Sequence, residues 1–360
     1  MTYRSPLLDT EGAVEAGGPD AGVAAHYGQP LAEQKHLAAG DAVVDLSHRG
    51  VVTVTGADRL SWLTTLSSQA LTSLAPGVSS EALLLSIQGR IEFNPRVVDD
   101  GTTTWLIVEA DEAPGLADWL TKMQFALRVE VADVSADWAV IGSTGELSAL
   151  AEHTVWQDPW PQPGEGGYAY TAADEASHPG YERDWFEYLV PAGELTTAVS
   201  DRQLAGTWAA EALRIAAWRP RFGTDTDEKS IPHELDLIRT AVHLSKGCYK
   251  GQETIARVHN LGHPPRRLVF LQLDGSQHTI PAPGSSVIAG ERTVGKVTSV
   301  AQHYEMGPVA LAVVKRNADP EAELMVDDDG EQYPAVQELI VAPDAGQVVG
   351  RQKGFIRPPR

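Results

Sequence analysis

Hydrophobic and polar positions follow two different periods along this chain, and the changes between them predict its elements. Residues 51–56, VVTVTG, have the β-branched composition of a strand. Three stretches, residues 57–71, 111–127 and 201–218, repeat apolar side chains every three or four positions, which predicts amphipathic helices. Residues 181–191, YERDWFEYLVP, return to the alternation of a strand.

Turn signals divide a further group of strands in residues 80–110. The dipeptides Gln88-Gly89 and Asp100-Gly101 separate the apolar runs, and Asp-Gly in this position is a strong hairpin signal. Strands, helices and antiparallel hairpins are therefore mixed along the chain. This mixture predicts the α+β fold class.

The pattern changes at His263-Pro264-Pro265, where proline ends regular structure. Beyond it, short β-rich runs predict a small antiparallel barrel or sandwich of about 90 residues. These runs are RRLVFLQLDG, SSVIAG, TVGKVTSVAQ, VALAVVKRN and AVQELIV. We therefore expect a body over residues 26–264 and a β-barrel domain over residues 265–360.

Two other stretches have the composition of loops. Residues 11–24 are aperiodic and rich in Gly, Ala and Asp, so residues 1–25 are expected to be a loose N-terminal segment. Residues 156–180 are dense in Pro and Gly, which predicts a surface excursion between elements.

The charge balance disfavours nucleic acid and anionic membranes as partners. The chain has 28 Lys+Arg against 49 Asp+Glu, a formal charge of -21. Its single cysteine cannot form an internal disulfide. The N-terminus lacks the apolar region of a signal peptide, and no run approaches the ~18 apolar residues of a membrane span. These features predict a cytoplasmic protein.

That cysteine lies in the segment LSKGCYKGQETIAR, residues 244–257. Lys246 and Lys250 stand two positions from Cys248 on either side, and nearby ammonium groups favour a reactive thiolate. Gly247 and Gly251 would allow positive φ or a close backbone approach. The alternative is a small buried residue in a turn, since free cysteines are often buried.

Metal chemistry has little support in the sequence. One thiol supplies a single ligand, whereas zinc sites and iron–sulfur clusters need about four. His233-Glu234 begins like the HExxH motif of zinc proteases, but position 237 is leucine.

Residues 246–253, KGCYKGQE, resemble the signature K-G-C-Y-x-G-Q-E of the YgfZ-type folate-binding proteins, relatives of the glycine-cleavage T-protein. Residues 218–235, residues 294–301 and residues 26–50 are similar to further segments of these proteins, so the resemblance covers nearly the whole chain. It implies a T-protein-like folate-binding body of mixed antiparallel sheets and helices, followed by a small β-barrel. Tetrahydrofolate or a one-carbon derivative is the implied cofactor.

The same resemblance implies a role in the assembly or repair of iron–sulfur proteins, with assembly or client proteins as partners. Cys248 would be the reactive or cluster-contacting thiol, and Lys246 and Lys250 its electrostatic activators. Because the chain has one thiol, a cluster would be shared with a partner or contacted transiently, and none would be stable on the isolated monomer.

This chain has no acidic residue at the position that corresponds to the catalytic carboxylate of the T-protein. True aminomethyltransferases carry it in a segment G-G-I-x-D-D, which residues 89–94, GRIEFN, match. Phe93 and Asn94 occupy the two acidic positions, and neither is a carboxylate. Asp99 and Asp100 would need a shift of several residues. Aminomethyl transfer is therefore disfavoured.

Glu187 resembles the T-protein glutamate that binds the pterin. A reduced pterin presents a ring N–H beside an exocyclic amine, and one carboxylate accepts both hydrogen bonds. A solvated acid on a strand is the alternative for Glu187, and an ion pair on a helix surface is the alternative for Arg214. The other expected cofactor-binding residues are Tyr249, Gln252, Glu253, Arg214 and Arg257.

Two local expectations complete the site. Glu253 and Arg257 would pair if they lay on a helix, but the β-branched residues 254–258, TIARV, make a helix doubtful. Residues 45–50, DLSHRG, resemble the T-protein segment D-x-S-H-M-G. His48 there either supports the pocket wall or is a histidine in a turn.

Three functional hypotheses follow. The first is a tetrahydrofolate-binding protein that supports iron–sulfur proteins through Cys248. The second is a tetrahydrofolate-dependent aminomethyltransferase or demethylase. The third is an interaction scaffold whose folate pocket is vestigial.

Overall fold

A computed structural model describes residues 3–171, 173–276 and 279–347 of the chain. Its helices are mostly short and lie between strands, as the mixed sequence pattern predicts. Within the described residues the α-helices are α1 Pro30–Ala38, α2 Arg59–Leu66, α3 Ala113–Met123, α4 Leu195–Ala198, α5 Thr207–Ala216, α6 Ile238–Ala241 and α7 Gln252–Leu261. No helix in this part of the chain combines the length and the apolar character needed to cross a bilayer.

Strands between residues 14 and 205 form two five-stranded sheets and two small hairpins. The N-terminal hairpin consists of β1 Val14–Glu15 and β2 Ala24–His26, and a second hairpin of β6 Leu84–Leu85 and β7 Ile91–Phe93. Sheet A is antiparallel in the order β10-β4-β9-β8-β5, from β4 Gly50–Thr55, β5 Ser79–Glu81, β8 Arg96–Asp99, β9 Thr103–Val108 and β10 Glu130–Asp133. Sheet B has the order β12-β13-β11-β3-β14, from β3 Ala42–Asp45, β11 Trp138–Ser143, β12 Thr154–Gln157, β13 Phe186–Pro191 and β14 Gln203–Ala205, with β14 parallel to β3.

The two sheets pack against each other because alternate residues of their strands are apolar on the facing sides. Val51 and Ile107 of sheet A share a buried cluster with Val140 and Leu189 of sheet B and with α5. The neighbouring residue Val52 points to the opposite face, where it packs with α2 and α3. The three central strands of sheet A, β4, β8 and β9, thus contribute to two cores.

Residues 3–25 are folded against the body, so the prediction of a loose N-terminal segment is wrong. Leu7 and Val23 are buried, and the hydroxyl of Ser5 donates to the carboxylate of Asp45. Asp20 reaches the centre of the molecule, where it accepts from Arg221 and lies 3.0 Å from the ring of His48. The Gly-rich composition gave the wrong prediction, because these few side chains attach the segment to the body.

The C-terminal strands form a closed antiparallel barrel in the order β15-β18-β17-β16-β19-β20. They are β15 Arg266–Leu273, β16 Ser286–Ala289, β17 Arg292–His303, β18 Gly307–Lys315, β19 Leu324–Asp328 and β20 Glu331–Leu339, and β20 pairs with β15 to close the ring. Five of the six correspond to the predicted β-rich runs. Strand β19 was missed because its sequence, LMVDD, is short and ends in acids.

The alternation along β15 attaches the barrel to the body. Val269 and Leu271 point into the barrel, whereas Leu268 and Phe270 pack in a cluster that includes Ile215 at the end of α5. The predicted α+β fold class with a C-terminal barrel is thereby confirmed. The domain boundary near residue 264 stays a prediction, although the first barrel strand begins at Arg266.

Some local predictions need correction. The helix expected at residues 201–218 begins only at Thr207, because β14 takes the residues before it, and the other two predicted helices are shorter by several residues. Residues 156–180 are not a simple surface excursion, since Trp156, Trp160 and Tyr170 are buried. Tryptophan and tyrosine bury large areas even in Pro- and Gly-rich sequence.

Candidate functional site

A polar cavity lies at the centre of the body, between the two five-stranded sheets and below α5. Its central free volume is about 30 Å³, room for about two water molecules. Charged side chains dominate its wall, where arginines alternate with carboxylates. The lining residues are Arg49, Glu81, Asn94, Arg96, Glu109, Trp156, Asp158, Arg183, Trp185, Glu187, Ala210, Glu211, Arg214, Arg219, Pro220, Arg221 and Phe222.

Glu187 lies in the wall of this cavity on β13, and its side chain is 1% exposed. Its Oε1 accepts from the guanidinium of Arg49 and, at 2.9 Å, from the indole N–H of Trp185. The Nε of Arg96 is 3.4 Å from the same oxygen. Burial alone would raise the pKa of Glu187, but the charges of Arg49 and Arg96 outweigh burial and hold the pKa below its usual value. Glu187 is an ionised buried group, and the alternative of a solvated acid is wrong.

Further buried ion pairs surround this centre. Arg219 donates to Glu81 at 2.9 Å and to Asp158 at 3.2 Å. Arg221 donates to Asp20 at 2.7 Å and to Glu109 at 2.6 Å. Breaking one partner of such a pair leaves an uncompensated charge, which is strongly destabilising.

Arg214 has a structural set of contacts. It is buried, and its guanidinium donates to Asp225 at 2.8 Å, to Ser299 of the barrel at 2.7 Å and to Glu211 at 2.8 Å. The alternative of a surface ion pair is therefore wrong, because only the Glu211 contact has that character. The predicted role of Arg214 in binding a cofactor stays a prediction.

Four buried polar atoms of cavity-lining residues have no hydrogen-bond partner. They comprise one acceptor, Oε2 of Glu187, and three donors, Nε of Arg49, Nε of Arg183 and Nη1 of Arg219. Native proteins leave few such atoms unpaired, and each one costs about 1–3 kcal/mol. Their concentration around one cavity indicates a polar ligand or water that offers both donors and acceptors.

Asn94 also lines the cavity, at the position where the T-protein pattern has an aspartate. Its side-chain amide donates to Glu81 at 3.0 Å and to the carbonyl of Ala82 at 3.2 Å. Burial would raise the pKa of Glu81, but the charge of Arg219 outweighs it, so Glu81 is ionised and needs a donor here. The amide therefore fits this position better than a second carboxylate would.

The segment with Cys248 lies outside the cavity lining. Cys248 is exposed, which contradicts the alternative of a small buried residue. The ammonium of Lys246 donates to the carbonyls of Thr64, Ser67 and Gln69 at the end of α2 and just beyond it, which uses all three of its hydrogens. Burial lowers the pKa of Lys246 to about 8.

The predicted activation of Cys248 by lysines stays a prediction. Lys246 has no hydrogen left for the sulfur, so its charge could act only through space. Lys250 donates to Glu92 at 3.0 Å.

The remaining predicted residues follow Cys248 on a core-facing turn and a helix. Tyr249 is buried, with the ammonium of Lys246 4.8 Å from its ring centroid. Gln252 begins α7, and Glu253 and Arg257 are exposed on that helix. The doubt about a helix at residues 254–258 was wrong, because Gly251 starts it and Ile255 buries its apolar face. These residues do not line the central cavity, and their assignment to a cofactor stays a prediction.

A direct structural link joins the Cys248 segment to the cavity wall. The backbone of Gly251 packs against Ser86 and Gly89 in the turn between β6 and β7. Lys250 pairs with Glu92 on β7, two residues before Asn94. The Cys248 segment therefore rests on the hairpin that presents Asn94 to the cavity.

The sequence patterns did not identify most of the cavity wall. Arg49, Arg96 and Arg221 were not singled out, although two signals point to Arg221 and Arg49: the arginine-rich stretch of residues 214–221 and the arginine in DLSHRG. His48 is buried with its Nε2 3.0 Å from Asp20, which agrees with a supporting role in the wall. Within the described ranges, no group of three His, Cys, Asp or Glu residues is arranged to hold a metal ion.

Comparison with known proteins identifies the family. The family model of the glycine cleavage T-protein C-terminal barrel domain matches residues 266–339, the six barrel strands. An aminomethyltransferase of Synechococcus sp. (strain RCC307) is 30% identical over 344 residues, covering 89% of this chain and 94% of that protein. One from Nostoc sp. is 30% identical over 311 residues, covering 81% and 82%.

A solved structure shows the same fold. The aminomethyltransferase T of the glycine cleavage system from Bartonella henselae superposes with a TM-score of 0.73 at 20% identity, covering 94% of this chain and 97% of that one. The identity and coverage of the Synechococcus relative show that the chain belongs to the aminomethyltransferase family, the family of the glycine cleavage T-protein.

Proposed function

We propose that this chain binds a reduced folate in the central cavity, with Glu187 as the anchor for the pterin, and that it does not transfer aminomethyl groups. The observation that carries the proposal is the unpartnered, buried Oε2 of Glu187 in the cavity wall. Membership in a family of folate-dependent enzymes supports the same ligand.

The polar groups of the cavity fit a pterin. The ring N–H and exocyclic amine are donors, for which Glu187 offers a carboxylate oxygen. The pterin carbonyl and ring nitrogens are acceptors, for which Arg183 and Arg219 have unpartnered donors. Trp185 lines the cavity beside Glu187, with the guanidinium of Arg183 over its ring. When bound, a tetrahydrofolate would supply a carrier for a one-carbon group.

The free volume of the cavity is too small for a pteridine ring. About 30 Å³ holds about two water molecules, so a side chain of the wall must move before a pteridine can enter.

Asn94 is the reason to separate this chain from aminomethyl transfer. A carboxylate manages the proton in the T-protein pattern, whereas an amide does not titrate and cannot act as a general base. Two carboxylates of the cavity wall, Glu81 and Glu187, form ion pairs with arginines. No step of proton transfer is therefore assigned to this wall.

The exposed thiol of Cys248 supports a second part of the proposal, the assembly or repair of iron–sulfur proteins. An accessible sulfur can contact a cluster carried by a partner, and that cluster is the substrate. The Cys248 segment rests on the β6–β7 hairpin, so the folate cavity and the thiol share a structural element.

Folate binding is tested by calorimetry with tetrahydrofolate on the wild-type chain and on Glu187→Gln, with Tyr188→Phe as a control. Tyr188 follows Glu187 but points away from the cavity, where its hydroxyl oxygen accepts a hydrogen bond of 2.8 Å from the backbone N–H of Leu147. Saturable binding that is lost in Glu187→Gln supports the proposal. Equal binding by wild type and Glu187→Gln would place the folate elsewhere.

The role of Cys248 is tested in cells that lack their own copy of the protein. Wild type should restore the activities of iron–sulfur enzymes, and Cys248→Ala should not, at equal protein levels. Full restoration by Cys248→Ala would remove the thiol from the function.

The names of the relatives favour a second candidate, a tetrahydrofolate-dependent aminomethyltransferase. Turnover of an aminomethylated lipoyl protein with tetrahydrofolate distinguishes it. Robust wild-type turnover would overturn the separation based on Asn94.

A further inference from the structure

Arg49 occupies the carboxylate that the proposed function assigns to the pterin. It lies in the turn between β3 and β4, where its backbone N–H donates to the carbonyl of Leu46 at 2.9 Å. Its side chain is 8% exposed and its Nη1 donates to Oε1 of Glu187. The strands on both sides hold this turn, so the guanidinium is positioned at Glu187 by the fold.

The contact has the same chemistry as pterin recognition. In a pterin the 2-amino group and the ring nitrogens on either side form a cyclic guanidine, which presents neighbouring N–H groups to a carboxylate. Arginine presents the same pattern from an acyclic guanidinium with a full positive charge. A charged donor makes a stronger hydrogen bond to a carboxylate than a neutral one does.

We propose that Arg49 is an internal competitor of the pterin, which must leave Glu187 before a folate binds. This inference rests on the proposed function, since it takes Glu187 as the pterin anchor. The small free volume of the cavity agrees with it, because a departing guanidinium would vacate space beside Glu187. Arg49 thus sets the affinity of the chain for folate.

Arg96, the other arginine beside Glu187, is not placed as a competitor. Arg96 is 3.4 Å from Glu187 and also 3.3 Å from Glu109, so it bridges two carboxylates. It would keep Glu187 ionised after Arg49 leaves. The charge of Arg49 also helps to lower the pKa of Glu109. Glu109 is therefore a second carboxylate with which the displaced guanidinium can pair.

Methionine has a side chain of similar length to arginine but carries no hydrogen-bond donor. A thioether cannot donate to a carboxylate, so a methionine at this position would leave Glu187 free for the ligand. The substitution Arg49→Met therefore removes the competitor with a side chain of similar length.

The test compares the dissociation constant of tetrahydrofolate, measured by calorimetry, for wild type, Arg49→Met and Arg49→Lys. Arg49→Met should bind about tenfold more tightly or better, because the apparent affinity is no longer reduced by the fraction of molecules in which Arg49 holds Glu187. Arg49→Lys keeps the charge without the planar guanidinium and should bind with intermediate affinity.

Arg183→Met is the matched control. Arg183 lines the same cavity but stacks over Trp185 at 4.3 Å and pairs with Asp158, so its loss should not tighten binding. A readout on the wild type avoids any folding defect of the variants. Addition of tetrahydrofolate should shift the side-chain Nε–H NMR signal of Arg49.

The outcomes separate the two ideas. Weaker or unchanged folate binding by Arg49→Met, or an Arg49 signal that does not shift in a folate-saturated wild type, overturns the competitor and leaves the proposed folate site standing. Absence of binding by wild type, Arg49→Met and Arg49→Lys alike overturns the proposed folate site and the competitor with it.

Discussion

The side-chain amide of Asn94 donates a hydrogen bond of 3.0 Å to the carboxylate of Glu81. Asn94→Asp would replace this donor by an acceptor and place two carboxylates in contact. The variant should lose stability by about 1–3 kcal/mol at pH 8, because like charges in a buried site repel and Glu81 loses a hydrogen bond. Chemical denaturation measures the loss.

The sign of the pH dependence follows from the new carboxylate. Its pKa in the folded state is expected above its unfolded value, so the loss should shrink as the pH falls and the pair shares a proton. Adding Glu81→Gln to Asn94→Asp should restore part of the stability at pH 8. A stable Asn94→Asp variant with strong aminomethyl transfer would contradict both this prediction and the proposed function.

Glu112, which does not line the cavity, provides a test of pH dependence. Burial raises the pKa of Glu112 to about 8, and one of its oxygens has no hydrogen-bond partner. Between about pH 4.5 and pH 8 the folded chain holds a proton that the unfolded chain has released, so stability falls as the pH rises through this window. Glu112→Gln removes this dependence.

The expected result is a gain in the free energy of unfolding of Glu112→Gln over wild type that grows with pH, by up to about 1.4 kcal/mol per unit, and levels off above about pH 8. Denaturation at pH 5 and pH 9 measures it. Asp118→Asn on the exposed face of α3 is the control, with a change of less than about 0.5 kcal/mol. A pH-independent difference for Glu112→Gln would show that Glu112 is not held protonated.

Arg214 is expected to act on stability, since it joins α5 to Asp225 and to Ser299 of the barrel. Arg214→Met should cost about 3–5 kcal/mol because it leaves Asp225 buried without its charge partner. The double variant Arg214→Met with Asp225→Asn should recover part of this loss. If Arg214→Met were as stable as wild type and lost only folate affinity, a ligand-binding role would be indicated instead.

The fold was predictable from the sequence to a useful degree because its signals are local. The alternation in β15 and β18 and the Asp-Gly turn at residues 100–101 encode a hairpin and a barrel directly. The start of α7 was missed because it depends on the left-handed conformation of Gly251 and on burial of Ile255, which overcome the β-branched composition.

For the site, the sequence predicted individual residues but not the contacts between them. Glu187 was found by resemblance, but its contact with Arg49 joins positions 138 residues apart, and no local pattern encodes such a pair. Asp20 reaches the same ion-pair cluster from a Gly-rich stretch. Buried networks of this kind depend on tertiary packing, so composition and periodicity do not reveal them.

Substitutions of Cys248 and of Lys246 should change the free energy of unfolding by different amounts. Cys248→Ala should change the free energy of unfolding by less than about 0.5 kcal/mol, because the side chain is exposed. Lys246→Met should lose about 1–3 kcal/mol, because three carbonyls near the end of α2 lose an ammonium partner. Thermal unfolding measures both. Equal losses would contradict the assignment of Lys246 to structure.

The two glycines beside Cys248 have different reasons to be there. Gly251 has a φ of +85°, and a Cβ atom at this position would lie 2.6 Å from the carbonyl oxygen of Ser86 and 3.0 Å from the Cα of Gly89. Gly247 has no positive φ, and a Cβ atom there would meet nothing within 4 Å. The expectation that both glycines serve a tight approach is therefore wrong for Gly247.

Gly251→Ala should destabilise the chain by about 1–3 kcal/mol, since the methyl group meets backbone on one side and forces a strained conformation on the other. Gly247→Ala is its matched control and should stay within about 0.5 kcal/mol of wild type. Because Gly251 holds the Cys248 segment on the β6–β7 hairpin, hydrogen exchange in residues 84–93 should also become faster in Gly251→Ala alone. Equal stability of the two variants, with unchanged exchange in that hairpin, would show that the segment does not depend on this contact.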